Sequence, residues 1–188
     1  LATNPAHPEA LAWMEDYLRL KRDYVELREV LFAAVRATGH SPETLESRKE
    51  RLREIAGLCE GNLRDVDGAV SAWKQLLGLD RGDDMARQSL TRLLEKAQRW
   101  DDLTSLLEQE AASEQDLETK ISLGRNLAKL QGDKRHDLVA AGDAWSRISR
   151  LTPDDEFAVQ TAAKLYERAE RPDLAVQVIS DSTPHIED

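Results

Sequence analysis

The 188-residue sequence predicts an all-α protein, an α-solenoid of about five antiparallel helix-turn-helix hairpins. Leu and Ala, which favour helices, together number 50, whereas Val and Ile, which favour strands, number 14. Apolar residues recur at helical spacing in segments of similar pattern, and short clusters of Gly, Pro and Asp separate these segments. Composition, periodicity and turn residues therefore predict the same fold class.

The composition also limits the class of protein. The formal net charge is −10, and Lys and Arg cluster only locally, so we expect no nucleic-acid binding. No run of about 18 apolar residues is present, so we expect no membrane insertion. The single cysteine, Cys59, cannot form an intramolecular disulfide, which fits a cytoplasmic protein, or a periplasmic one if a signal was removed. Because it starts at Leu1, the chain is expected to be a fragment of a longer protein.

Two segments carry the clearest internal repeat, AVSAWKQLLGLDRGDD and AGDAWSRISRLTPDDE. In each, a small residue, an aromatic residue and two apolar residues follow at steps of four, three and three, which places them on one face of a helix. They are Ala69, Trp73, Leu76 and Leu79 in the first copy and Ala141, Trp145, Ile148 and Leu151 in the second. Weaker copies at Leu103 and Ala175 keep the register, at intervals of 34, 38 and 34 residues. The connection GDKRHDLV is expected to hold the extra residues of the longer interval.

A second amphipathic helix precedes each of these, so the repeating unit is a helix, a turn and an antiparallel helix. The predicted hairpins span roughly 8–37, 42–80, 83–112, 115–152 and 155–182, within one domain over 1–188. Their turns are expected at Arg22-Asp23-Tyr24, Arg99-Trp100-Asp101, Gly132-Asp133 and Arg171-Pro172-Asp173. Ser41 and Pro42 are the expected N-cap and first residue of a long charged helix.

These patterns resemble the tetratricopeptide repeat, a family whose unit is a 34-residue helix-turn-helix. The residues that match are Leu123-Gly124 followed by Leu127, Ala162-Ala163 followed by Tyr166, Ala69, Ala141, Ala175, Trp73, Trp145 and Pro153. The copies are degenerate, since Arg81 replaces the closing proline of one repeat and Leu103 replaces a small residue. The resemblance covers roughly residues 48–182 and implies a right-handed solenoid whose first helices line a concave groove. The N-terminal hairpin joins it by analogy, with a capping element as the alternative.

One hairpin cannot bury its apolar stripe alone, so we expect neighbouring hairpins to share their apolar side chains. The expected shared core comprises Trp73, Leu77, Leu90, Leu94, Leu107, Leu123, Leu127, Trp145, Ile148 and Tyr166. Burial of each large side chain contributes roughly 1.5–3 kcal/mol to stability. Both repeat tryptophans are therefore predicted to be core residues and not ligand contacts.

The sequence lacks the common catalytic motifs HExxH, GxxxxGK[ST], GxSxG and CxxC. The four histidines, His7, His40, His136 and His185, fall in predicted termini or loops without a second ligand at metal spacing. Cys59 lies in a predicted helix and is expected to be a small packed residue. We therefore predict a protein that is not an enzyme and that needs no cofactor or metal.

Three basic pairs occupy matching places on the first helices of successive hairpins. They are Arg92 and Lys96, Arg125 and Lys129, and Lys164 and Arg168. Residues four apart share a helical face. The resemblance implies that this face lines the groove. The pairs therefore predict a basic track that attracts an acidic ligand. The alternative is a set of solvated charges neutralised by neighbours such as Glu95 and Glu167. Further expected contacts are Gln88, Ile121 and Phe157, the last two of which also fit packing on the preceding hairpin.

The family's best-known peptide site is a carboxylate clamp of Lys and Asn. The resemblance places it at Met85, Gln88, Ser89, Glu118, Ile121 and Phe157, where Lys and Asn are missing. We therefore expect no recognition of a chaperone C-terminal tail. We predict a protein-protein interaction module, an adaptor or assembly scaffold that binds an acidic peptide or helix in its groove. The alternative is a structural spacer or dimerisation segment, with a homodimer formed through an open C-terminal stripe of Leu174, Ala175, Val178 and Ile179.

Overall fold

The structure, a computed structural model, describes residues 8–37 and 42–182. Within these ranges the chain forms ten α-helices, two π-helical segments and no strand. The helices are α1 Pro8–Lys21, α2 Tyr24–Ala37, α3 Pro42–Leu58, α4 Val66–Leu79, α5 Asp84–Lys96, α6 Trp100–Ser113, α7 Leu117–Lys129, α8 Leu138–Leu151, α9 Glu156–Arg168 and α10 Pro172–Ser182. The π-helical segments, π1 (Cys59–Leu63) and π2 (Leu130–Lys134), continue α3 and α7. The predicted all-α fold of antiparallel hairpins is confirmed.

Each of the short connections α1–α2, α3–α4, α5–α6, α7–α8 and α9–α10 contains a residue of the same backbone conformation. One residue there is in the left-handed conformation, with φ between 52° and 58°, and it is never glycine: Arg22, Arg64, Gln98, His136 and Glu170. This conformation costs a residue with a Cβ roughly 1–2 kcal/mol. Where the flanking helices pack on each other, as in α1–α2, α3–α4, α7–α8 and α9–α10, that packing must hold the conformation in place.

Aspartate caps the start of six helices. The capping residues are Asp23, Asp65, Asp83, Asp116, Asp137 and Asp155, each of which accepts a hydrogen bond through its side chain from the backbone N–H three residues later. Such a cap stabilises a helix by about 1 kcal/mol. The polar residues that separate the apolar segments in the sequence thus fix where the helices begin.

The chain divides into two compact units, Leu1–Ala97 and Gln98–Asp188. In the first unit, α2 packs on α1 and α3, and α4 packs on α3 and α5. The large side chains that are fully buried in this unit are Leu11, Leu18, Leu27, Leu31, Leu52, Ile55, Cys59, Leu76, Leu90 and Leu94. The core of this unit therefore consists mainly of leucine from all five helices.

Two ion pairs join α3 to the loop that precedes α5. The Lys49 ammonium lies 2.7 Å from the Asp80 carboxylate, and the Arg53 guanidinium lies 2.6 Å from that of Asp83. Burial alone would raise the pKa of Asp83. The Ala86 N–H, which donates a hydrogen bond to the carboxylate, and the charged Arg53 guanidinium together hold this pKa below its ordinary value. Asp83 thus caps α5 and attaches it to the preceding hairpin.

In the second unit, α8 packs on α7 and α9, and α10 packs on α9. The buried cluster there comprises Ala162, Ala163, Tyr166, Ala175 and Val178, with Val139, Trp145 and Leu174 partly buried against it. The Tyr166 hydroxyl donates to Asp143 Oδ1 at 2.7 Å. The pKa of Tyr166 is raised, mainly because the hydroxyl is buried and to a lesser extent because it contacts this carboxylate. A Cβ added at Gly142 would lie 2.7 Å from Cε1 of that ring, so α8 and α9 can approach this closely only with glycine there.

The C-terminal stripe is not open, contrary to the expectation from the sequence. Ala175 and Val178 are buried in the cluster of the second unit, and Leu174 packs against it. Ile179 is 49% exposed, and its neighbour Val176, which the predicted stripe omits, is 67% exposed. Because α10 turns its apolar face toward α9 and α8, the chain itself covers most of the stripe.

The predicted burial of the ten core residues is largely confirmed. Seven of the ten residues are buried, and Leu77, Leu123 and Trp145 are half-buried. Trp73 is buried and Trp145 packs against a core cluster, so both are core residues as predicted. Cys59 is a packed residue, as predicted. The pKa of its thiol is raised, mainly by burial and to a lesser extent by the nearby Asp65 carboxylate.

None of the described helices is both long enough and apolar enough to span a lipid bilayer. Residues 8–37 and 42–182 contain no group of three or more His, Cys, Asp or Glu side chains that could hold a metal ion. His136 is an exposed turn residue. The predicted N-cap Ser41 and the histidines His7, His40 and His185 lie outside the described residues.

Candidate protein-binding surface

Three first helices carry the same row of side chains. α5, α7 and α9 each follow an aspartate cap, Asp83, Asp116 or Asp155, and the row occupies the second, sixth, ninth and thirteenth positions after the cap. These steps of four, three and four residues form a line along one helical face. We name the rows the α5 stripe (Met85, Ser89, Arg92, Lys96), the α7 stripe (Glu118, Ser122, Arg125, Lys129) and the α9 stripe (Phe157, Thr161, Lys164, Arg168).

The last two positions of each stripe are the basic pairs singled out in the sequence, and all six cations are exposed. Other faces of the same helices bury Leu94 in α5, Leu127 in α7 and Tyr166 in α9. The amphipathic pattern of each helix therefore turns the cations of its stripe toward solvent. The α5 stripe belongs to the first unit, and the other two belong to the second.

In the first unit, Glu60 connects the α5 stripe to a core tryptophan. Its Oε1 accepts the indole N–H of Trp73 at 2.8 Å, and its Oε2 lies 3.6 Å from Nη2 of Arg92. Arg92 is therefore partly balanced within its own unit. Helical spacing alone does not reveal Glu60, because this residue lies in π1, where the α-helical period is interrupted.

In the second unit, an ion pair brings the α7 stripe to the start of α9. Nη2 of Arg125 lies 4.0 Å from Oδ2 of Asp155, the α9 cap, which is two residues from Phe157. The Phe157 ring packs edge-to-face on Trp145, with ring centroids 5.5 Å apart, and yet is 64% exposed. Phe157 thus both packs on the preceding hairpin and presents an exposed aromatic surface.

This ion pair has a counterpart in the first unit. Arg53 and Asp83 are 30 residues apart, as are Arg125 and Asp155, and in both pairs an arginine of one hairpin contacts the cap of the next first helix. The recurring spacing is a sequence signal that apolar periodicity does not contain. Arg125 therefore joins two hairpins in addition to being exposed.

Four stripe cations have no carboxylate of the described chain within 4.0 Å: Lys96, Lys129, Lys164 and Arg168. Glu95 and Glu167, which the solvated-charge alternative names, form no ion pair with any stripe cation among the described residues. The carboxylates that do so, Glu60 and Asp155, lie on other segments.

The remaining predicted contacts have different environments. Gln88 is exposed on α5, whereas Ile121 is half-buried on α7. Lys164 borders an open groove of about 460 Å³ between α9 and α10, whose apolar lining includes Val159, Ala163 and Ile179. On α9, a charged stripe therefore lies next to an apolar groove.

No protein-family model matches the chain, and no curated protein matches its sequence. Among solved structures, MamA (residue 41 to the end) from Desulfovibrio magneticus RS-1 is 19% identical, with 93% of this chain and 92% of that chain covered and a TM-score of 0.36. A putative kinesin light chain with nearly identical TPR-like repeats from Podosopora anserina is 14% identical, with 95% and 94% covered and a TM-score of 0.42. BtubC (BKLC) from P. vanneervenii is 13% identical, with 95% and 79% covered and a TM-score of 0.40. The fold assignment rests on the helical hairpins of the chain itself.

Proposed function

We propose that this chain is a protein-interaction module, an adaptor or assembly scaffold, that binds an acidic segment of its partner on the exposed stripes. The observation that supports this most directly is in the second unit. Lys129, Lys164 and Arg168 are exposed and have no carboxylate of the described residues within ion-pair distance, although the protein carries a net charge of −10. Cations kept unpaired on an acidic protein provide a local positive field for an anionic ligand.

Phe157 adds an apolar contact to this field. Its exposed ring lies on the same line as Lys164 and Arg168, two residues after the Asp155 cap that Arg125 contacts. A ligand with one apolar side chain flanked by acidic residues matches this combination, because the apolar contact contributes affinity and the charges orient the ligand and speed its encounter.

The length of a stripe sets the size of the ligand segment. From its second to its thirteenth position a stripe extends over about 16 Å, at 1.5 Å per helical residue. An extended peptide covers this distance with about five residues. A short acidic motif is therefore sufficient to occupy one stripe.

The test uses the full chain and a dye-labelled 12-residue peptide of Asp and Glu with a central Leu, whose binding is followed by fluorescence anisotropy. We expect Lys164→Glu with Arg168→Glu to weaken binding roughly 30-fold at low salt, from about 1 kcal/mol for each exposed charge contact. The remaining binding should depend less on salt concentration, because fewer charge contacts contribute to it.

The matched control is Arg36→Glu with Arg147→Glu, which makes the same change in net charge at exposed cations outside the stripes. This control should bind like the wild-type chain. An equal loss of affinity in both double variants would mean that net charge alone governs binding, and an unchanged affinity in the stripe variant would refute the site.

Self-association through α10 is the second candidate function. It is supported by Val176 and Ile179, which are 67% and 49% exposed on α10. Light scattering over a concentration series should then show a dimer that Val176→Asp with Ile179→Asp converts to monomer. Val178→Asp is unsuitable for this test, since Val178 is buried within the chain. A wild-type chain that stays monomeric throughout the series would exclude this function.

A further inference from the structure

We infer that the stripes recognise phosphate, so that the acidic segment of the proposed function carries phosphoserine or phosphothreonine. This inference rests on the proposed function and begins at the second residue of each stripe. That residue bears a hydroxyl in all three copies, as Ser89, Ser122 and Thr161. The first residue, in contrast, differs completely between the copies.

Each stripe combines one hydroxyl, one guanidinium and one ammonium. The hydroxyl lies three residues before the first cation and seven before the second, which places all three groups on one helical face. The order of the two cations is reversed in α9, where Lys164 precedes Arg168, but the set of groups is the same. Three degenerate repeats thus keep one combination of donors while the residue at the head of the stripe changes.

These hydroxyls are available to a ligand. Some other helical hydroxyls donate to a backbone carbonyl three or four residues earlier, as those of Ser105, Ser113, Ser149 and Ser182 do, and the Thr152 hydroxyl does the same directly after α8. Within the described residues, the hydroxyls of Ser89, Ser122 and Thr161 make no hydrogen bond. Their donors are therefore not engaged by their own helices.

The chemistry of the donor set favours phosphate over carboxylate. A phosphorylated side chain carries a charge of about −1.5 to −2 and three acceptor oxygens. Two cations balance that charge, and guanidinium, ammonium and hydroxyl together supply donors to all three oxygens. A carboxylate has a single charge and two oxygens, which one arginine satisfies through a bidentate contact. The third donor therefore adds little for a carboxylate and distinguishes a phosphate.

The α9 stripe is the strongest of the three candidates. Its two cations have no carboxylate of the described residues within ion-pair distance, whereas Arg125 of the α7 stripe shares Asp155 and Arg92 of the α5 stripe shares Glu60. Thr161 is half-buried, which limits its side-chain freedom before binding. Phosphate selectivity should therefore depend most on Thr161.

The experiment compares three labelled peptides of identical acidic sequence that carry Ser, Asp or phosphoserine at the centre, each titrated with the full chain. The phosphopeptide should bind about tenfold more tightly than the Asp peptide. Thr161→Val, which removes the hydroxyl at nearly constant shape, should reduce that advantage, the ratio of the two affinities, by at least half. Thr161→Ser should restore it. Ser105→Ala, which removes a hydroxyl bonded to its own helix, is the control and should change neither affinity.

Each other outcome has a definite meaning. Equal affinity for the Asp and phosphoserine peptides overturns the phosphate inference and leaves the proposed function standing. A loss of affinity for all three peptides in Thr161→Val shows that the hydroxyl acts through the helix and also overturns it. Binding of single-stranded RNA as tightly as the phosphopeptide would show recognition of phosphate chains instead of a modified protein. If none of the peptides binds, the proposed function and this inference both fail.

Discussion

Replacement of Gly142 by alanine should destabilise the protein, although alanine is the better helix former. The new Cβ would lie 2.7, 2.9 and 3.1 Å from Cε1, Cδ1 and Cζ of Tyr166, whereas carbon atoms in contact normally stay about 3.5 Å apart or more. The ring cannot easily move aside, because Tyr166 is 4% exposed and its hydroxyl is bonded to Asp143 at 2.7 Å.

The expected magnitude follows from three contributions. Overpacking costs about 1–3 kcal/mol, and loss of a hydrogen bond to a charged acceptor costs about 1.5–3 kcal/mol. The helix propensity of alanine offsets about 1 kcal/mol of this. Because the ring shift and the lost hydrogen bond are partly one event, we expect the free energy of unfolding to fall by about 2–4 kcal/mol.

The assay is urea unfolding followed by far-ultraviolet circular dichroism. Gly57→Ala in α3 is the matched control, since its added Cβ would meet no atom within 4 Å beyond the local backbone of its own helix. This variant should gain up to about 1 kcal/mol in free energy of unfolding. In a Tyr166→Phe background, where no hydroxyl holds the ring, Gly142→Ala should cost less. A Gly142→Ala chain as stable as the wild type would refute the close-contact reasoning.

Three further predictions concern other parts of the fold. The pKa of Asp83 in the folded chain lies below its ordinary value of 3.8, so its charge stabilises the fold above pH 3.8. This stabilisation is lost as the pH falls through the folded-state pKa. Asp83→Asn should therefore flatten the acid side of a plot of melting temperature against pH. Glu170→Gly should raise the free energy of unfolding by up to about 1 kcal/mol by relieving the left-handed bend, whereas Gln75→Gly within α4 should lower it by about as much. Labelling of Cys59 by a thiol reagent should be slow in the native chain and fast in urea, and fast native labelling would contradict its burial.

The helices could be predicted from the sequence because each one carries its own apolar period. Trp73 and Trp145 show this, since the matching residues around them place both in the core of their units. The C-terminal stripe could not be assigned in the same way. Ala175 and Ile179 are four residues apart, but the packing of α10 against its neighbours buries the first and leaves the second half exposed. Periodicity identifies an apolar face and does not say how far a partner helix covers it.

The candidate site was predictable only in part. The spacing of Lys164 and Arg168 was enough to place both cations on one helical face, and they are exposed there. Their surroundings depend on contacts between hairpins, which no local period encodes. The pairing of Arg125 with Asp155 was visible only as a separation of 30 residues that also occurs in the first unit.

The carboxylate of Glu60 uses one oxygen for the Trp73 indole and the other for the Arg92 guanidinium. An anion that draws Arg92 away would leave more negative charge beside a buried indole, whose emission responds to such a change. Binding of an anion at Arg92 should therefore change the emission of Trp73, which is one of four tryptophans in the chain.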